Sequence, residues 1–126
     1  MSEANLELIR RHYAAYDQAD LDALMATIAV DAEFVAGDEA AQAFYGREFK
    51  GHDEIRGFFK ALDDLLAHRS VEVLDLQATD DNRVVASLIM YGTFKATGIS
   101  GSLRGVHAFT IRDGLIARNE QYTRPD

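Results

Sequence analysis

One histidine set among apolar residues carries the clearest chemical signal in this chain. His107 lies in the run GVHAFTIRDGLIARNEQY, Gly105 to Tyr122. Along a strand, Leu103, Gly105, His107, Phe109 and Ile111 share one face, and Arg104, Val106, Ala108, Thr110 and Arg112 share the other. The first face is the more apolar and is expected to point inward. An imidazole buried there without a partner costs roughly 1–3 kcal/mol, so it needs a hydrogen-bond partner or a wet pocket. Imidazole serves as acid or base near neutral pH. Two readings stay open: a structural histidine bonded to a tyrosine hydroxyl or a carbonyl, and the polar centre of a site.

Two other segments could supply its partners. Antiparallel pairing across the Asp113-Gly114 turn is expected to put Asn119 and Gln121 on the face of His107. A histidine beside amides suits recognition of a carbonyl or hydroxyl. A slip of one residue would turn Glu120 inward and make a His-Glu pair instead; an ordinary half-polar edge is the plain alternative. The first helix offers His12, Tyr13 and Tyr16. Tyr13 and Tyr16 lie on the stripe of Ile9, and His12 lies about 60° from it. Buried tyrosine hydroxyls need partners, so this edge could meet the polar groups of a pocket, although aromatics at helical spacing also serve as plain core.

The elements that must position these groups are legible from periodicity. Residues 3–18 read as an amphipathic helix through Leu6, Ile9, Tyr13 and Tyr16. Asp20 is placed to cap a second helix through Leu21, Leu24, Met25 and Ile28. Ala32 to Gly37 reads as a strand, and Asp38 to Gly46 as loop or short helix. A third helix is expected over Glu54–His68. Four strands follow: Val71–Ala78, Arg83–Thr97, Leu103–Arg112 and Leu115–Thr123, with turn residues between them. Helices first and strands later is an α+β pattern. The run from Val84 to Tyr91 is apolar on both faces, which predicts a homodimer through the outer face of the sheet.

Composition narrows the function classes. The 126 residues form a single domain, 1–126, large enough for a real core. A net charge of -8 with scattered basic residues argues against nucleic acid and against an anionic membrane surface. No run is long and apolar enough for a bilayer span, and the N-terminus lacks a secretion signal. There is no cysteine, which excludes disulfides and fits a cytoplasmic protein. His12, His52, His68 and His107 show no ligand spacing, so no metal and no other cofactor is expected. Gly98, Gly101 and Gly105 lack the lysine and helix of a phosphate loop.

The motifs in order resemble a known family. HYAAYDQADLDALMATIAVDAEF, His12 to Phe34, is similar to the opening of the nuclear-transport-factor-2-like superfamily. GREFKGHDEIRGFF and HAFTIRDGLIARNEQY resemble its SnoaL-like branch, with Gly51-x-x-x-Ile55-x-x-Phe58-Phe59 starting helix three and the same closing hairpin. The resemblance implies a cone-shaped α+β barrel, in which three N-terminal helices meet a curved, mostly antiparallel sheet around an apolar pocket. Such members include polyketide cyclases, ketosteroid isomerases, scytalone dehydratase, limonene-epoxide hydrolases and binding proteins without chemistry, mostly homodimers. Fold membership alone does not settle among these.

Carried over residue by residue, the ketosteroid isomerase pattern puts its helix-one tyrosine on His12, its strand-one aspartate base on Ala36 and its protonated aspartate on His107. The base is therefore missing, and Asp38 at the mouth is a poor substitute. The hydrolase Asp-Arg-Asp trio has no evident inward counterpart, and a cyclase-type acid exists only if Glu120 turns inward. His107 with Asn119 loosely resembles the His and Asn of scytalone dehydratase. The expected pocket walls are Tyr13, Phe34, Phe44, Tyr45, Phe58, Phe59, Leu62, Leu88, Met90, Phe94 and Phe109, with Asp38, Glu39 and Tyr45 at the mouth. The expected partner is a small, largely apolar molecule bearing a carbonyl or hydroxyl. Cofactor-free proton transfer (isomerase, dehydratase or cyclase type) is the chemistry that His107, His12, Tyr16, Asn119 and Gln121 could support. A non-catalytic ligand carrier or a dimeric interaction module is the alternative.

Overall fold

Apolar residues at helical spacing build the first element. α1, Ser2–Asp17, buries Leu8, Ile9, Tyr13 and Tyr16. The structure is a computed structural model and describes residues 2–39, 41–42 and 48–123. Asp20 caps α2, Leu21–Met25, by accepting the Ala23 backbone N–H at 3.1 Å. The sequence predicts that this helix runs on to Ile28, but it stops at Met25 and β1 spans Ile28–Ala36. The cause lies at Thr27. Its backbone carbonyl accepts the Ile116 N–H at 2.9 Å, so the chain is already committed to the sheet there.

β2, Phe49–Lys50, leads into α3, Gly51–Leu65. Gly51 has φ of 81°, a left-handed conformation that glycine adopts without a Cβ penalty. α3 begins three residues before the expected Glu54 and turns Ile55 and Phe59 into the core. The expected helical stretch Leu66–His68 is strand instead. β3, Leu66–Ala78, starts directly after α3, with Leu66 opposite Phe94 and His68 opposite Thr93. Ladder pairing outweighs the helical spacing of that stretch. β4 is Arg83–Phe94 and β5 is Ser100–Arg112, so the β4–β5 turn falls three residues earlier than the sequence suggests. β6, Leu115–Thr123, has the expected bounds.

The sheet order is β2-β1-β6-β5-β4-β3. Every neighbouring pair is antiparallel except β1 with β6. The result is an α+β fold in which three helices lie on a curved, open, mostly antiparallel sheet. Phe109, Ile9, Leu24, Ile28, Ile55, Leu88 and Ile116 are fully buried between the layers, and each such side chain contributes roughly 1.5–3 kcal/mol through burial. On β4 the inward Val84, Ala86 and Leu88 are buried, while Val85 and Tyr91 on the opposite side are 38% and 40% exposed. Phe44 and Tyr45 lie outside the described residues. Among the described residues, no helix is long and apolar enough to cross a membrane.

Gly105 tests how closely the closing strands approach. A Cβ there would stand 2.8 Å from the Tyr122 carbonyl oxygen, a backbone atom that cannot swing aside. Gly105→Ala is expected to destabilise the protein by about 1–3 kcal/mol, as overpacking does, seen as a lower urea midpoint. An unchanged midpoint would contradict this packing.

Candidate functional site

The site is set by the β5–β6 hairpin. Asp113 and Gly114 have φ of 54° and 76°, the signature of a two-residue turn whose twist matches its strands. Arg112 then faces Leu115, and Ile111 faces Ile116. Stepping five residues on from Arg112–Leu115 in a regular ladder would set His107 against Glu120. The ladder is not regular. Thr110 faces Arg118, leaving Ala117 as an extra residue in β6. This bulge advances the register by one and brings Gln121 opposite His107 and Asn119 opposite Phe109. Asn119 and Gln121 therefore point inward, as expected, and are buried. Glu120 points outward, where it lies 3.4 Å from Arg83 and 3.6 Å from Arg118 and accepts the Tyr122 hydroxyl at 3.1 Å. The alternative His107-Glu120 pair does not form.

α1 faces this hairpin. Tyr13 reaches His107, its hydroxyl and the imidazole Nδ1 sharing a hydrogen bond of 2.8 Å. His12 turns the other way, and its Nδ1 lies 2.9 Å from the Thr27 hydroxyl. Phe109 stands edge-on to His12, Tyr13 and His107, with centroid distances of 5.6, 5.9 and 5.9 Å. Such edge-to-face contacts fix ring orientation. Tyr16 also faces inward, and the Arg69 guanidinium stacks 4.7 Å from its ring centre.

These groups surround a cavity of about 210 Å³. Its polar wall is His12, Tyr13, Tyr16, His107, Asn119 and Gln121, and its apolar wall includes Phe34, Phe58, Phe59, Leu62, Met90 and Phe94. Phe94, Gly101 and Ser102 are exposed at its rim. Two expected walls are elsewhere: Leu88 and Phe109 do not border the cavity but are fully buried core. Asp38 is spent on capping, accepting the Ala41 N–H at 2.7 Å, and neither it nor Glu39 borders the cavity. Ala36 lies beside Gln121 in the β1–β6 pairing, so no carboxylate stands at that position. Among the described lining residues there is no Asp, Glu, Lys or Arg. Among the described residues, no group of three or more His, Asp or Glu side chains could hold a metal ion.

The electrostatics follow from this apolar enclosure. Burial lowers the His12 pKa from 6.5 to about 3. Burial lowers that of His107 to about 3 as well, with a smaller push from His12. Both imidazoles are therefore neutral at physiological pH. Burial raises the Tyr16 pKa, while Arg69 opposes that rise. The Asn119 side-chain carbonyl is buried with no hydrogen-bond partner among the described residues. A buried acceptor left unmatched costs roughly 1–3 kcal/mol. Among the described lining residues none can neutralise a charged ligand, whereas several can pair with a neutral polar one.

Two contributors escaped sequence reasoning. Thr27 is buried and holds His12, yet it reads as an ordinary residue after a short helix. Arg69 is nearly fully buried, donating to Asp63 at 2.5 Å and to the Tyr16 carbonyl at 3.4 Å. Its only signal was an arginine at the junction of a helix and a strand.

The neutral histidines make stability depend on pH. The unfolded chain protonates each imidazole near pH 6.5, whereas the folded protein resists protonation until about pH 3. Stability is thus full above pH 6.5 and is lost as pH falls from 6.5 toward 3. Each histidine contributes a slope of roughly 1 kcal/mol per pH unit in that window. Replacing His107 by Phe is expected to flatten urea-midpoint profiles between pH 6 and 4 (about that window). A profile as steep as that of the native protein would show that His107 is not buried and neutral.

Comparison with known proteins agrees with this architecture. The family profile described as a SnoaL-like domain matches residues 9–119. No curated protein matches the chain. Among solved structures, the chain is similar to TerC co-crystallised with polyporic acid, at 25% identity and a TM-score of 0.81, over 96% of this chain and 92% of that one. It is similar to a nuclear-transport-factor-2-like protein of unknown function from Burkholderia pseudomallei, at 23% identity and a TM-score of 0.81, over 96% and 91%. It also resembles a hypothetical protein with a ketosteroid isomerase-like fold from Catenulispora acidiphila in complex with trimethylamine, at 17% identity and a TM-score of 0.78, over 92% and 84%. With the helices, the curved sheet and the inward-facing hairpin in place, the chain belongs to the SnoaL-like domain family.

Proposed function

We propose that the cavity binds a small, uncharged, largely apolar molecule bearing a carbonyl or hydroxyl, with His107 as the polar centre. The observation that carries this reading is the Tyr13–His107 hydrogen bond, set in a cavity without charged lining residues among those described. A histidine and a tyrosine that merely filled core would not need an open cavity beside them. At about 210 Å³ the space exceeds the 150 Å³ or so that accommodates benzene, so a one- or two-ring molecule fits. TerC, crystallised with polyporic acid, supports a small organic ligand for a cavity of this architecture. Asn119 and Gln121 orient the ligand's polar group beside His107.

Any chemistry in this cavity is cofactor-free proton transfer at His107 assisted by Tyr13, of the isomerase, dehydratase or cyclase kind. A carrier without turnover is the second reading. It is favoured by Ala36 at the position of the isomerase base and by the outward Glu120. The outer face of β4, with Val85, Ile89 and Tyr91 partly exposed, is the proposed contact with a second copy of the chain.

Calorimetry with 2-acetylnaphthalene and 2-naphthoate tests the binding reading. The neutral ketone is expected to bind at least about tenfold more tightly than the carboxylate, because an unpaired buried charge is costly. His107→Ala should weaken the ketone by about tenfold, the loss of one hydrogen bond. Equal affinity for both probes would overturn the reading. In sedimentation velocity the native chain should run as a dimer and Ile89→Glu as a monomer; a native monomer would remove the second-copy contact.

A further inference from the structure

The hydrogen bonds behind His12 settle which of its nitrogens carries the proton. The Thr27 hydroxyl oxygen and the Leu24 carbonyl oxygen are 2.7 Å apart. Two oxygens that close require a proton between them, and only the Thr27 hydroxyl can supply it. That hydroxyl has one proton, now committed to Leu24. Its contact with His12 Nδ1 at 2.9 Å must therefore be a bond that the imidazole donates. A neutral imidazole with its proton on Nδ1 has a lone pair on Nε2. His12 borders the cavity, and among the described residues its Nε2 has no hydrogen-bond partner.

We infer that His12 is a fixed hydrogen-bond acceptor in the cavity, held in that state by Thr27, and that it selects ligands presenting an O–H group, namely enols, phenols and alcohols, over ethers and simple ketones at that point. Thr27 is a positioning residue, because it touches His12 and not the cavity. The Leu24 carbonyl completes the device, since it also accepts the Thr27 backbone N–H at 3.1 Å and is thereby held against rotation. Protonating His12 to let it donate instead is opposed by its burial among Tyr13, Phe34 and Phe109. An acceptor that cannot become a donor discriminates by chemistry and not by size. This inference rests on the cavity being a ligand site.

The test uses 2-naphthol and 2-methoxynaphthalene, which differ in whether the oxygen carries a proton. In the native protein 2-naphthol is expected to bind about tenfold more tightly, the worth of one good hydrogen bond. Thr27→Val frees the Nδ1 proton to move to Nε2, so the preference should vanish or reverse; Thr27→Ser should restore it. Nitrogen-15 NMR of the ligand-free native protein should show His12 protonated at Nδ1 and bare at Nε2. This readout stands even if Thr27→Val does not fold. The opposite tautomer would overturn the inference while leaving the binding reading intact. Equal binding of both probes to the native protein would also overturn it and would still support a ligand cavity. Binding of neither would overturn both.

Discussion

A single extra residue in β6 decides what the interior of this protein can do. A regular ladder from the Asp113-Gly114 turn would set His107 against Glu120. The bulge at Ala117 shifts the pairing by one, and with it every side chain beyond moves to the other face. Gln121 and Asn119 come inside, and Glu120 goes out to Arg83 and Arg118. The β1–β6 pairing locks the same register from the other side, with Phe34 beside Asn119 and Ala36 beside Gln121. A carboxylate beside His107 would favour imidazolium. An amide leaves desolvation unopposed, so the imidazole stays neutral.

The neutral state then shapes the rest of the site. Two imidazoles packed edge-on against Phe109 each avoid the large cost of a buried charge by remaining uncharged and sharing one hydrogen bond apiece, His107 with Tyr13 and His12 with Thr27. Magnitude settles the comparison between binding and catalysis here. Moving a proton onto either imidazole must overcome a pKa of about 3, which near pH 7 corresponds to several kcal/mol. A hydrogen bond to the same nitrogens carries no such cost. The cavity is better suited to hold a neutral polar group than to ionise it, and chemistry in it would need the substrate itself to compensate the charge.

Much of this was legible in the sequence. The helix stripes through Ile9 and Tyr13, the capping Asp20 and the Asp113-Gly114 turn are local signals with local causes, and the elements they predict are present. The boundaries that moved did so for non-local reasons. Ile28 left its helix because Ile116 claims the carbonyl of Thr27, and Leu66 to His68 left theirs because β4 offers a ladder. Inward Asn119 and Gln121 were expected from alternation, yet alternation from the turn, counted strictly, favours Glu120; no residue type announces a bulge at an alanine. Leu88 and Phe109 were expected as walls because strand position gives the face and not the depth. Thr27 and Arg69 could not be found because each matters through a partner distant in sequence, His12 and Tyr16.

The neutral cavity depends on His107 facing an amide and not an acid, and the titration of His107 reports that directly. Followed by NMR in the native protein, the His107 ring should remain neutral as pH falls from 7.5 to below 5 (roughly two units under its unfolded value), because Gln121 gives the imidazolium no counter-charge. Titration near or above pH 6.5 would mean that Glu120 faces it, and would contradict both the bulged register and the neutral cavity built upon it.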